Sequence, residues 1–309
     1  MVELENVREI KEGNIPCVVF KTPLYFDVEK IFDCGQCFRF DRVEKTEHKS
    51  EFSGVAMGRY VSFAEDDKET YIYNSTEQEF FNIWSRYLSL DMDYEAVERD
   101  IFENCKNPIL REAAEYGRGI RILRQDSFES IISFIISQNN NIPRIKKIIE
   151  RLSKESGNEI EVGGMEKHCT EVSSRFSFPT ADAIYSLGID GLRGIGTGFR
   201  AKYIYDAVEK MLSGELDISK IALAENTETG IDMLCSVKGI GPKVASCALL
   251  FGFERYDAFP IDVWMKRAVE KYFPEYDKDS FSPTILGQYA GIAQQYLFYY
   301  ERYLGGKEI

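Results

Sequence analysis

Two hydropathy rhythms divide the chain. As far as residue 74 the apolar positions come in short runs, IPCVVF (15–20), CFRFDRV (37–43), EFSGVAMGRYVSFAED (51–66) and TYIYN (70–74). Gly and Asp turns separate them and YVSFA alternates in patches, which predicts β-strands. Met57-Gly58 suits a two-residue hairpin turn. From STEQEFFNIWSRYL (75–88) onward the period is helical, most clearly in DSFESIISFIISQ (126–138), PRIKKIIERLSK (143–154), FRAKYIYDAVEKML (199–212) and YAGIAQQYLFYYERYL (289–304). The pattern predicts an α+β protein, with a small antiparallel β domain over 1–112 and an all-α domain over 113–309. NPILREAAEYGRG, near 105–120, is expected to connect them. No repeat, coiled coil or low-complexity linker interrupts this plan.

KGIGPKVASC (238–247) follows a short amphipathic stretch, GIDMLCSV (230–237). Gly239 and Gly241 can take positive φ and admit close backbone approach. Pro242 fits a first helical turn, and Val244, Ala245, Ala248, Leu249 and Leu250 supply a buried stripe. The segment therefore reads as helix, Gly-rich hairpin, helix. Hairpin amides at a helix N-terminus can bind an anion such as a phosphodiester, although a plain helix connection explains two glycines equally well. Lys243 and Cys247, four apart, share one helix face. Asp262 follows Phe-Pro-Ile and precedes another amphipathic run. Taken alone, this pair reads as a surface lysine beside a capping aspartate, and Cys247 as a small buried residue.

Taken together, KGIGPKVASCALLFGFERYDAFPIDVWM resembles the helix-hairpin-helix, Gly/Pro-rich loop and aspartate of the DNA glycosylase superfamily (HhH-GPD), with lysine where bifunctional members have it. Adding CGQCFRF, LRQDSFESIISFIISQNNNIPRI, GFRAKYI and YAGIAQQYLFYY extends the resemblance over most of the chain to the 8-oxoguanine DNA glycosylase family. It implies a TBP-like antiparallel half before an all-α glycosylase domain, and excision of 8-oxoguanine from damaged double-stranded DNA with associated abasic-site (AP) lyase activity. The chemistry gives the pair a reason. A departing base leaves an oxocarbenium-like sugar that a carboxylate stabilises, and a neutral amine can attack C1′ to form a Schiff base. Lys243 and Asp262 are thus the expected catalytic residues.

The resemblance implies further roles. In QNNNIPRI, whose clustered asparagines otherwise signal a turn, Asn139 would fill the void left by the flipped base. Arg144 and Arg200 would read the orphaned cytosine, whose O2 and N3 accept hydrogen bonds. Phe199 would wedge beside it, where the family more often has tyrosine. In the lesion pocket a backbone carbonyl facing N7 separates the oxidised base, which carries N7–H, from guanine, and the resemblance assigns this to Gly35. Gln294 would meet the Watson–Crick edge, Phe298 would stack on the base, and Cys247 would line the pocket. Gly239 and Gly241 would hold a phosphate. The carbonyls of Cys235, Val237 and Ile240 match positions that hold a monovalent cation. Trp264 stands where the family commonly has a phosphate-binding histidine, and an indole never carries charge.

Composition constrains these readings without overturning them. The net charge of −13 opposes indiscriminate DNA binding. Acidic residues crowd the first hundred positions, however, and basic ones such as Arg144, Lys146, Lys147, Arg200, Lys202 and Lys238 gather later, so a basic strip on an acidic body is expected. Seven cysteines without a secretory signal or spanning segment predict a reduced, cytoplasmic protein, nucleoid-associated in a bacterium. CGQC could be a redox or zinc half-site, but there are only two histidines and no second CxxC. No cysteine follows Cys247, which excludes an iron–sulfur cluster near the C-terminus. A monomer without a required cofactor is expected. Two alternatives stay open: an alkylated-base glycosylase of the same superfamily, which does not need Lys243, and a non-catalytic hairpin DNA-binding module.

Overall fold

A computed structural model describes residues 6–170, 175–276 and 281–304. Its first part is one antiparallel sheet of β1 (Arg8–Glu12), β2 (Ile15–Lys21), β3 (Phe40–Arg42), β4 (Ser50–Ala56), β5 (Arg59–Glu65) and β6 (Glu69–Tyr73), ordered β1-β2-β6-β5-β4-β3. The β4–β5 hairpin closes through Met57 and Gly58, both with positive φ (52° and 71°), and sets Ala56 opposite Arg59. Such a turn matches the strand twist. β2 is apolar from Ile15 to Phe20 because both of its faces are covered. Val18 and Phe20 join the core beneath α1 (Val28–Asp33), whose Ile31 and Phe32 also pack there. Cys17 and Val19 join Val55, Tyr60, Tyr73 and Met165 on the opposite face.

Three details up to residue 88 differ from the sequence expectation. The strand expected over 37–43 shortens to Phe40–Arg42, because residues 34–37 form a loop. β1, REIKE, was not foreseen; it is a charged, exposed edge strand with no alternating apolar face. The helix expected over 75–88 opens on a Thr76–Glu79 capping box and contains a π turn, Phe80–Trp84, that buries Phe80 and Trp84 in the sheet core.

The remaining chain is helical: α2 (Tyr94–Asn104), α3 (Pro108–Gly117), α4 (Ser127–Ser137), α5 (Ile142–Ser156), α6 (Ala181–Gly194), α7 (Ala201–Ser213), α8 (Ile218–Ala222), α9 (Thr227–Cys235), α10 (Pro242–Gly252), α11 (Val263–Tyr272) and α12 (Ala290–Tyr303). The stretch expected to be a connection is α3, a core helix. Its Gly117 lies against Tyr296 of α12 so closely that a Cβ would come within 2.8 Å of the ring. No described helix is long and apolar enough to cross a membrane.

The loop after α1 locks the sheet to the helices. Buried Gln36 donates through Nε2 to the carbonyls of Ile31 (2.8 Å) and Arg121 (2.9 Å), while its Oε1 accepts from Leu123 N–H (2.8 Å). Gln125 Nε2 donates to the Gln36 carbonyl and Gln295 Nε2, from α12, to the Cys34 carbonyl, both at 2.8 Å. Phe38 packs edge-on against Phe134 of α4. Losing one such partner would strand a buried polar group at a cost of about 1–3 kcal/mol, so residues 34–38 are held from both sides.

Candidate active site

Residues far apart in the chain line one cleft of about 360 Å³, within the ~300–1,000 Å³ span of ligand-binding clefts, with the α4–α5 turn forming part of its wall. The sheet side contributes Cys34 and Gly35. α10 contributes Lys243 and Cys247, the segment entering α11 contributes Asp262 and Trp264, and α12 contributes Gln294, Phe298 and Arg302. Every residue expected at the catalytic step or in the lesion pocket is therefore present. A larger hollow of about 1000 Å³ lies beside the sheet, where buried Glu51 and His168 meet at 2.7 Å. Lys243 and Asp262 do not reach it, and it belongs to the packing of residues 158–170 on the sheet.

Lys243 sits half-buried in the first turn of α10 because Pro242 starts that helix, and Cys247 follows one turn later on the same face. Burial pushes the Cys247 thiol up to about 11; Lys243 opposes the rise and Asp262 adds to it. At neutral pH it is therefore a neutral, compact wall. Asp262 is the N-cap of α11, and its Oδ1 accepts from Met265 N–H at 2.8 Å. The capping reading and the catalytic reading coexist here, since the second carboxylate oxygen has no hydrogen bond among the described residues.

Gly35 adopts φ +83°, where side-chain-bearing residues are strained, and a Cβ there would sit 3.6–3.7 Å from Ile142, Phe298 and Arg302. Buried thiols flank it. Burial raises Cys34 to about 12 and raises Cys37 further, so CGQC supplies no thiolate and the redox reading falls away. Gln294 is only 5% exposed, and its Oε1 is buried without a partner. An unpaired buried acceptor in a cleft calls for a donor from a ligand. Sequence reading missed Gln36, Gln295 and Arg302. The first two look like ordinary polar residues until their hydrogen bonds to loop 34–38 are seen.

The remaining candidates lie outside the cleft lining. Asn139 is exposed at the turn between α4 and α5 with φ +48°, a conformation asparagine tolerates better than most residues. Arg200 is 3% exposed, with donors to the carbonyls of Gln138, Asn139 (2.9 Å) and Thr197 (3.3 Å), and it braces that turn. Burial, then the charge of nearby Arg144, lowers its pKa. Arg144 is exposed at the start of α5. Phe199 is 53% exposed, stacks under the Arg200 guanidinium at 4.4 Å and meets Tyr203 edge-on.

Tyr203 in turn packs on the hairpin. The two hairpin glycines differ: Gly239 has φ +83° and a Cβ would fall inside the Tyr203 ring, whereas Gly241 has φ −104° and open space around it. Positive φ, expected of both as an option, is used by Gly239 alone. Among the described residues the carbonyls of Cys235 and Ile240 accept no backbone hydrogen bond, and that of Val237 accepts one, from Ile240 N–H at 3.0 Å. Free carbonyl oxygens suit a hard cation. Arg267 lies over the half-exposed Trp264 ring at 5.6 Å, so a cation stands beside the indole.

The chain is similar to known proteins over most of its length. Residues 18–131 match the family model for the 8-oxoguanine DNA glycosylase N-terminal domain, and residues 132–282 match that for the HhH-GPD superfamily of base excision DNA repair proteins. N-glycosylase/DNA lyase OGG1 of Arabidopsis thaliana is 30% identical over 295 residues, which span 86% of this chain and 75% of that protein. The Clostridium acetobutylicum 8-oxoguanine glycosylase/lyase, solved with double-stranded DNA containing cytosine opposite 8-oxoguanine, is 35% identical with a TM-score of 0.85 over 99% of both chains. MBOgg1, solved with a low-affinity DNA ligand, is 36% identical with the same TM-score over 97% of this chain and 99% of its own.

Proposed function

The chain belongs to the 8-oxoguanine DNA glycosylase family of the HhH-GPD superfamily, and on that premise we propose that it excises 8-oxoguanine from duplex DNA and then cleaves the abasic strand. The observation that carries the reading is one cleft holding an amine, a carboxylate, a stacking ring and an unpaired buried acceptor, Gln294 Oε1. Phe298 stacks on the extruded base, and Gln294 accepts from N1–H and the N2 amine of its Watson–Crick edge. The Gly35 carbonyl accepts from N7–H, a proton that guanine lacks. Its left-handed φ, open to glycine, and the five hydrogen bonds around Gln36 and Cys34 support a fixed recognition element.

In the chemical step the C1′–N9 bond breaks and its electron pair leaves with the base, which takes up a proton. Asp262 stabilises the cationic sugar through its free carboxylate oxygen. Lys243, as the free amine, bonds through Nζ to C1′, and ring opening gives the Schiff base. Loss of a C2′ proton then expels the 3′-phosphate. An alkylated-base glycosylase has no need of an amine in its cleft, and a binding module has no need of the cleft.

Outside the cleft, Asn139, Phe199, Arg144 and Arg200 hold the gap and the orphaned cytosine, and the Gly241 amide end of α10 meets a phosphate. The carbonyls of Cys235, Val237 and Ile240 would hold a monovalent cation beside that phosphate, which lessens its repulsion from the acidic body. The reaction uses no other cofactor. A cleft completed by one chain supports action as a monomer.

Borohydride trapping tests the reading. The parent protein should give a covalent adduct with 8-oxoguanine duplex, and Lys243→Gln should bind the same duplex without adduct or excision. Undiminished trapping by the variant would refute the assignment.

A further inference from the structure

Arg302 is a charged group in the cleft to which the proposed chemistry gives no task. It lies two helical turns beyond Gln294 and one beyond Phe298, on the same face of α12. Its Nη1 approaches within 3.6 Å of the position a Gly35 Cβ would take. The guanidinium has five N–H donors, and among the described residues it makes one hydrogen bond, from Nη1 to the Asp33 carbonyl at 3.2 Å. The guanidinium also lies over the Tyr303 ring at 5.1 Å, and its four other donors have no hydrogen-bond partner among the described residues.

The chemistry of the base shows what they suit. Going round 8-oxoguanine from the edge assigned to Gln294, the groups are N1–H, the O6 acceptor, then N7–H. Gln294 and Gly35 offer acceptors to the two N–H groups, which leaves O6 between them without a donor. A carbonyl oxygen buried unpaired is unfavourable. Arg302 extends from the same helix face as Gln294 and Phe298, and its Nη1 lies beside Gly35.

We propose that Arg302 is a specificity-determining residue that donates to O6 of the extruded base, and so selects oxidised guanine over oxidised adenine. 8-Oxoadenine keeps N7–H and O8 but carries an amine at C6, and that amine would face a guanidinium donor. The inference rests on the assignment of Gly35 and Gln294 to the two neighbouring groups.

The test uses equilibrium binding in the Lys243→Gln background, where no chemistry intervenes. Duplexes carry 8-oxoguanine, 8-oxoadenine or a tetrahydrofuran abasic analogue, each opposite cytosine. Arg302→Leu should weaken binding of the 8-oxoguanine duplex about ten-fold, the value of one hydrogen bond to a charged group. Binding of the 8-oxoadenine duplex should not weaken, and Arg302→Lys should recover part of the loss. The abasic duplex should bind all forms equally. An equal loss on both oxidised bases would mean that Arg302 only braces the Asp33–Gly35 loop, and a loss on the abasic duplex would mean general disruption; either overturns the proposal, as does no change anywhere. If the Lys243→Gln protein with Arg302 intact fails to prefer 8-oxoguanine to unmodified guanine opposite cytosine, the underlying lesion reading falls instead.

Discussion

Lys243 and Asp262 enter one cleft from the N-terminal ends of two successive helices, the amine in the first turn of α10 and the carboxylate at the N-cap of α11. They form no ion pair with each other, so each faces the cleft without the other as its partner. A helix N-terminus favours a carboxylate, and the cap bond to Met265 fixes one oxygen while leaving the second to the substrate.

Asp262→Asn should separate the two roles of that side chain. The amide oxygen can still cap α11, so the melting temperature should stay close to the parent's. Single-turnover excision should fall by about two orders of magnitude or more, the usual loss when a transition-state charge stabiliser is removed, with little change in duplex affinity. Asp262→Ala should add a stability loss of about 1 kcal/mol. Parallel loss of rate and affinity in the asparagine variant would point to a structural cap alone.

Selectivity for the base opposite the lesion should favour cytosine over adenine by roughly ten- to hundred-fold, about 1–3 kcal/mol. Arg200 already spends its donors on Gln138, Asn139 and Thr197, so exposed Arg144 should carry most of the discrimination. Excision from four duplexes differing only in the opposite base should show Arg144→Met levelling the rates. Arg200→Met should slow all four, because the turn bearing Asn139 loses its brace. Equal parental rates on all four would rule out this orphan-base pocket.

The hairpin glycines should respond differently to alanine. Gly239→Ala meets both a left-handed φ and the Tyr203 ring, and should destabilise by more than about 1 kcal/mol, seen as a lower melting temperature. Gly241→Ala has neither obstacle in the protein. Its melting temperature should hold while duplex affinity falls, if a phosphate comes close there. Equal thermal losses would contradict the distinction.

A pH effect should arise far from the cleft. His168 stacks on Tyr73, hydrogen-bonds Glu51 at 2.7 Å and has Glu12 at 3.5 Å. Burial works against its charge, but Glu51 and Glu12 prevail and raise its pKa above the usual 6.5. A raised folded-state pKa stabilises fully below the unfolded value and loses its contribution as pH rises through the folded one. The melting-temperature gap between the parent and His168→Gln should therefore be widest below about pH 6.5 and narrow at higher pH. A gap that widens with pH would reverse the assignment.

Much of this was legible in the chain because function and local pattern coincide there. The strands, the long helices and the hairpin announced themselves by period and by glycine spacing, and Lys243 with Asp262 by motif. Other features depend on contacts between distant segments. Nothing local in REIKE marks an edge strand, and nothing near Met165 shows that it closes the outer face of the sheet. CGQC suggested reactive sulfur, yet its sulfurs are buried packing and its glycine faces the cleft. Gln36 and Gln295 join loop 34–38 to partners 85 to 261 positions away, beyond the reach of any window of sequence.

The hydrogen bond from Gln295 to Cys34 spans nearly the whole length of the chain. Reagents for abasic-strand cleavage, Lys243 and Asp262, come entirely from the later helices, while the wall assigned to choosing the base comes from residue 35. The base is thus gripped from both ends of the polypeptide, while the cutting chemistry sits at one. A descendant that remodelled its first forty residues would keep the nucleophile and one side of the base pocket, so the test for N7–H could change without rebuilding the chemistry.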